Sequence, residues 1–223
     1  GMTEQPVEIG AIVALLREEG IVDDEKIRFA QRIRAKLTEP KPLLRILQEL
    51  EHVSPEQVQQ ALRKRRLDVR LGDLLVELGY LDPHDLRMAL DLQNEDPSRK
   101  AKLGEVLVQH RFVDERALTE ILASQLGFEI AEPRLSAVDP KLLARVNRNW
   151  MVQNEFVPVR EDERSVVVAF ADPTNRAHVD AAESAFGKAI VPAICPRSVI
   201  LTALNKLPAT APRKGVRNSD QHA

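Results

Sequence analysis

The feature that most constrains the fold is a near-repeat. RLGDLLVELGYLDPHDLRMALDLQ, residues 70–93, returns as KLGEVLVQHRFVDERALTEILASQ, residues 102–125. Laying Arg70 on Lys102 pairs Leu71 with Leu103, Gly72 with Gly104, Leu75 with Leu107, Leu81 with Val113, Leu86 with Leu118, Leu90 with Leu122 and Gln93 with Gln125. Within each copy apolar residues recur at three- and four-residue steps. They break at Asp82-Pro83 or Asp114-Glu115, where an acidic N-cap opens a second apolar series. Each copy therefore reads as a helical hairpin. A lone hairpin cannot bury its apolar face, so the repeat predicts two stacked hairpins with local pseudo-symmetry.

The same pattern runs upstream in weaker form. Residues 8–37 place Ile9, Ile12, Val13, Leu15 and Leu16 on one side, turn at Glu19-Gly20, and restart at Asp23. Residues 42–66 repeat it, with Ser54 and Pro55 as N-cap and first helical residue of the second helix. Val22, Val53, Leu81 and Val113 then mark four hairpins at intervals of roughly 30 residues. The first two lack the Arg-Leu-Gly and the closing Gln. They read as packing elements or a partner surface, dispensable for any ligand.

After Gln125 prolines punctuate the chain. Phe156 to Val159, Ser165 to Phe170 and Ala189 to Val191 read as strands, with helices near 176–186 and 197–206. The expected fold is α+β: repeated helical hairpins forming an N-terminal helical bundle, then a small α/β domain with a short sheet. The boundaries are 1–66 for the degenerate hairpins, 67–127 for the tandem pair, 128–207 for the α/β segment and 208–223 for a polar, disordered tail.

The tandem pattern, a basic residue, Leu-Gly, an apolar ladder and a closing Gln, resembles that of the MshEN domain, a family that binds cyclic di-GMP. The first copy matches at Arg70, Leu71, Gly72, Leu75, Val76, Gly79, Leu81, Leu86, Leu90 and Gln93; the second has Lys102 for Arg and Arg111 for Gly. The order of strands and helices after 128, with its Ala-Asp-Pro-Thr-Asn turn at 171–175, resembles the N-terminal domain of type II secretion and type IV pilus assembly ATPases. The resemblance implies a cyclic di-GMP site formed by Arg70, Leu71, Gly72 and Gln93 with Lys102, Leu103, Gly104 and Gln125. The chemistry agrees. Leu-Gly steps at helix starts expose backbone N–H groups to phosphate, arginine offers a two-pronged donor, and glutamine can pair with a base. A ligand with two guanines and two phosphates suits a site built twice.

Composition narrows the rest. With 32 basic and 34 acidic residues the net charge is −2, which gives no global case for nucleic acid or a membrane surface, and aromatics are 4%. One cysteine, Cys195, excludes an internal disulfide and fits a reducing, cytoplasmic setting. No apolar run approaches the roughly 20 residues that span a bilayer. No G-x-x-x-x-G-K-[ST] phosphate loop occurs, the histidines lack ligand spacing, and Asp172 to Asn175 reads as a turn, so no catalytic residue and no cofactor is expected. The basic run RKRRLDVR, residues 63–70, reads as a solvated helix end or as a source of positive potential beside Arg70. Two functions fit: a regulatory adaptor binding cyclic di-GMP and reporting to a secretion, pilus or motility machine, or a protein-interaction module of such a machine without a nucleotide.

Overall fold

In the computed structural model, residues 9–98, 101–132 and 138–207 are described. The expected tail, 208–223, and Pro133 lie outside them. Eight helices come first: α1 (Ala11–Glu18), α2 (Asp24–Ala35), α3 (Leu43–Glu49), α4 (Pro55–Lys64), α5 (Leu71–Glu77), α6 (Pro83–Glu95), α7 (Leu103–Gln109) and α8 (Glu115–Leu126). They form four hairpins. In each, the first helix ends on a residue in the left-handed region: Gly20 at φ 72°, Glu51 at 59°, Gly79 at 83° and Arg111 at 60°. The next amide reaches back to the helix, as Tyr80 N–H does to Leu75 O at 2.8 Å and Phe112 N–H to Leu107 O at 2.9 Å. This is a Schellman turn, and it points the following Val22, Val53, Leu81 or Val113 into the core. An oxygen of Asp23, Ser54, Asp82 or Asp114 then accepts from a first-turn N–H of the second helix.

All eight helices share one core, in which Leu16, Leu47, Leu74, Leu75 and Leu107 are fully buried. It runs unbroken across the expected boundary at 66/67. Glu77 of α5 accepts from the Ile12 N–H at 2.9 Å, closing the N-terminus of α1, where the cap residue Gly10 has no side chain to offer.

The α/β segment holds β1 (Glu129–Ile130), α9 (Pro140–Leu143), α10 (Arg148–Asn154), β2 (Phe156–Glu161), β3 (Ser165–Phe170), α11 (Arg176–Phe186), β4 (Ala189–Ile194) and α12 (Arg197–Asn205). The sheet order is β1-β4-β3-β2, parallel except for the antiparallel β2–β3 pair. Residues 166–170 of β3 are all buried, as a central strand covered on both faces requires. β2 is an edge and carries Pro158 and a register shift between Pro158 and Arg160, both tolerated there. A second core fills this segment, while Phe128 and Ile194 reach into the helical core and join the two. The fold is α+β, with twelve helices and a four-stranded mixed sheet among the described residues. Among them no helix is long and apolar enough to cross a membrane.

Candidate functional site

The helical layer meets the α/β layer across a cavity of about 430 Å³. Of the eight residues singled out in the sequence, Arg70, Leu71, Gln93, Lys102, Leu103 and Gly104 line it. Arg70 and Lys102 are the N-caps of α5 and α7, so the repeat places both cations at equivalent hairpin starts. They are not equivalent in surroundings. Arg70 is exposed, whereas the Lys102 ammonium donates to Gln153 O at 2.5 Å and lies 3.5 Å from Glu155 Oε1. Gln93 donates through Nε2 to Ala101 O at 3.0 Å, which ties the end of α6 to the start of α7.

Gly72 and Gln125 are not on the cavity wall. Gly72 is a packing glycine: an added Cβ would lie 2.7 Å from Leu86 Cδ1 and 3.2 Å from Leu103 Cδ2. It lets α5 approach α6 and the start of α7, a different service from admitting phosphate to the backbone. At Gly104 a Cβ would meet Leu71 Cδ2 at 3.6 Å, an ordinary contact. Gln125 sits half-buried near the end of α8.

The opposite wall comes from Glu155, Asp172, Thr174, His178 and Arg197, none of which the repeat announces. Glu155 ends α10 with φ 50° and ψ 50°, a left-handed conformation that is costly for a non-glycine residue, and its side chain is buried. Its carboxylate accepts from Arg197 Nε at 2.5 Å, and Arg197 also lies 3.4 Å from Glu105 of α7. Ser198 donates to Glu115 of α8. These contacts fasten the layers at the cavity's rim.

Asp172 accepts from the Thr174 N–H at 3.0 Å and from its hydroxyl at 2.5 Å. It is the turn expected from the sequence, and the turn faces the cavity. Burial, with the Glu155 charge adding to it, holds the Asp172 carboxyl above the ordinary range. His178, 5% exposed, has a buried Nδ1 with no hydrogen-bond partner. Burial and the Lys102 charge push its pKa down to about 4, so the imidazole is neutral at physiological pH. Among the described residues no group of three or more His, Cys, Asp or Glu side chains could hold a metal ion. Cys195 is buried, and burial pushes its thiol up to about 12, far from a reactive thiolate.

Known proteins share this geometry's sequence in part. The profile of the family described as MshEN domain matches residues 126–214, beginning directly after the second repeat copy closes at Gln125. The match thus falls on the α/β segment that forms the cavity's far wall, downstream of the hairpins whose motif carries the resemblance. Type IV pilus assembly ATPase PilB of Myxococcus xanthus is 31% identical over 111 residues, covering 50% of this chain and 19% of that protein. Its namesake in Thermus thermophilus is 27% identical over 161 residues, covering 69% of this chain and 18% of that one. The chain spans about a fifth of the length of these curated relatives. A solved structure of MshE with cdg is 23% identical, with a TM-score of 0.48, over 61% of this chain and 96% of that one.

Proposed function

We propose that the chain is a non-catalytic, cytoplasmic regulatory module that binds cyclic di-GMP in the cavity between its layers and reports the bound state to a pilus-assembly or secretion machine. The observation that carries this reading is convergence on one cavity: two cations and a glutamine from the repeated hairpins face a buried carboxyl and an unpartnered imidazole nitrogen. The cations suit phosphates. The carboxyl groups of Asp172 and Glu155 suit the paired N–H donors of a guanine edge, and Leu71, Leu103, Leu118 and Leu122 supply apolar surface for the bases. The MshEN match and two relatives named as pilus assembly ATPases support the same assignment.

A second reading has one observation in its favour. Lys102 already has partners in Gln153 and Glu155, so its half of the site is closed by the protein itself. In that reading the chain is an interaction module of such a machine that takes no nucleotide.

Calorimetric titration with cyclic di-GMP, with GTP and ATP as controls, separates the two. Saturable binding of cyclic di-GMP alone is expected. Arg70→Ala removes a charge-assisted contact of about 1.5–3 kcal/mol and should weaken binding about tenfold to more than a hundredfold. Lys102→Ala should cost less, because that ammonium must first leave Gln153 and Glu155. No heat with the parent protein, or Arg70→Ala binding as well as the parent, leaves the interaction-module reading standing.

A further inference from the structure

The basic run at the end of α4 divides its charges between two faces. Lys64 reaches Glu19 at 2.7 Å, and Arg65 reaches Glu18 at 2.6 Å and Asp68 at 2.7 Å, so these two are neutralised on the side of α1. Arg63 and Arg66 turn instead to the junction of α8 and β1. An added Cβ on Gly127 would sit 2.5 Å from Arg63 Nε and 2.8 Å from its Cδ, so the Arg63 chain lies across bare backbone. The Arg66 guanidinium lies 4.3 Å from the centre of the Phe128 ring. Neither arginine has a carboxylate partner among the described residues, and the Arg66 Nε is buried with no hydrogen-bond partner. Burial and the charge of Arg63 lower the proton affinity of Arg66.

A partly desolvated guanidinium with a buried, unpartnered Nε is costly, and an anion held by Arg66 together with the exposed Arg63 beside it would offset that cost. A cavity of about 400 Å³ opens where they meet the α/β layer, floored by Leu67, Pro173, Val179, Ile190 and Pro192, with Arg176 on its wall. Its size is that of a small-molecule site, and its one carboxylate, Asp68, is already paired with Arg65 and Arg176, which leaves Arg63 and Arg66 as the cations open to an anion. We infer that this cavity is a second ligand site, one that takes a phosphorylated small molecule with its phosphate on Arg63 and Arg66 and its apolar body on the proline and aliphatic floor. It stands back to back with the first. Asp172, Thr174 and Asn175 face one cavity while Pro173 and Arg176 face the other, and the segment from Arg63 to Leu71 serves both.

The test is an NMR titration of the ¹⁵N-labelled full chain with phenyl phosphate, with inorganic phosphate in parallel. Saturable shifts of the Gly127 and Phe128 amides and of the Arg66 Nε–H are expected, with phenyl phosphate binding more tightly than inorganic phosphate. Arg63→Gln and Arg66→Gln should each weaken binding about tenfold or more, as loss of a charge-assisted bond requires. Lys64→Gln, at a residue that also lines the cavity but whose charge is already paired with Glu19, should change it far less. Arg63→Gln is the safer variant because Arg66 also packs on Phe128; both are first shown to be folded by circular dichroism. Shifts that do not saturate, shifts confined to residues 171–175, equal affinity for the two probes, or binding unchanged in Arg63→Gln would each overturn the assignment.

Discussion

Gly79 and Arg111 close the first helix of the two tandem copies at the same left-handed turn, φ 83° and φ 60°. For glycine that conformation is free, but an L side chain in it costs about 1–2 kcal/mol. Arg111→Gly should therefore stabilise the protein by about 1 kcal/mol, a rise of ~2–4 °C in melting temperature for a chain of this size. Gly79→Ala should lower stability by a similar amount even though nothing lies within 4 Å of the added Cβ, because the cost is in the backbone alone. Differential scanning calorimetry reads both, and equal melting temperatures for parent and Arg111→Gly would remove the strain argument. Glu77 is a different kind of residue-scale device. It accepts backbone N–H groups of α1, which favours the charged form, yet burial outweighs them and pushes its pKa up to about 7. A carboxyl that holds its proton more tightly folded than unfolded contributes stability that is fully present below about 4.5 and is lost as pH rises through about 7. The full span is on the order of 3 kcal/mol. Urea midpoints measured from pH 4.5 to 8 should fall across that window in the parent, and the fall should be smaller in Glu77→Gln, which cannot ionise.

At the scale of elements, the hairpins are legible in the sequence because each carries its own punctuation. A left-handed turn, a buried Val or Leu two residues on and an Asp or Ser cap recur at all four, and the caps bond as their sequence requires. β2, β3, α11 and α12 are legible from runs of β-branched residues and from the Asp-Pro and Pro-Arg breaks. β1 is not: two residues, Glu129 and Ile130, show no alternation, and they become a strand only because β4 offers an edge. α9 escapes because four residues are too short for a period, and α10 because its apolar residues Trp150, Met151 and Val152 are consecutive and show no three- or four-residue step. That omission hides Glu155, which follows the last residue of α10 and anchors Arg197 at the cavity. Gln125 differs from its counterpart in the repeat: Gln93 lines the cavity and Gln125, half-buried near the end of α8, does not. Gly72 and Gly104 likewise look identical in sequence and differ in space. Both gain helix propensity on mutation to alanine, about 1 kcal/mol each, but at Gly72 the Cβ collides with Leu86. Gly104→Ala should thus be more stable than Gly72→Ala by about 1–3 kcal/mol, the usual cost of overpacking, as measured by chemical denaturation. If Gly104→Ala keeps its stability but loses affinity for cyclic di-GMP, the loss reports on the cavity wall and not on the fold.

At the scale of the molecule, the early hairpins share one packed core with the tandem pair, and this bears on what the first 66 residues do. They lack the polar motif, which by itself suggests that a ligand would not miss them. Their apolar residues tell another story. Leu16 and Leu47 are fully buried in the same core as Leu74, Leu75 and Leu107, and the N-terminus of α1 is closed by Glu77. Removing them would bare the face of α5 that α1 and α3 cover and leave Glu77 without the amides it serves. The hairpins bearing Arg70 and Lys102 would then lack a floor, and the cavity they frame against the α/β layer would lose one wall's support. Leu47→Ala, a single deletion in α3 far from the cavity, should cost about 2–5 kcal/mol of global stability. A chain beginning at Leu67 should go further, melting without a cooperative transition and binding a hydrophobic dye. Its affinity for cyclic di-GMP should fall because the binding-competent state is sparsely populated, with every liganding side chain still present. Saturating nucleotide at about 100 times its dissociation constant should restore up to about 2.7 kcal/mol to Leu47→Ala, seen as a recovered melting temperature. A truncated chain that melts cooperatively and binds as the parent does would mean that the early hairpins are a separate unit, and that their shared core adds nothing to the site.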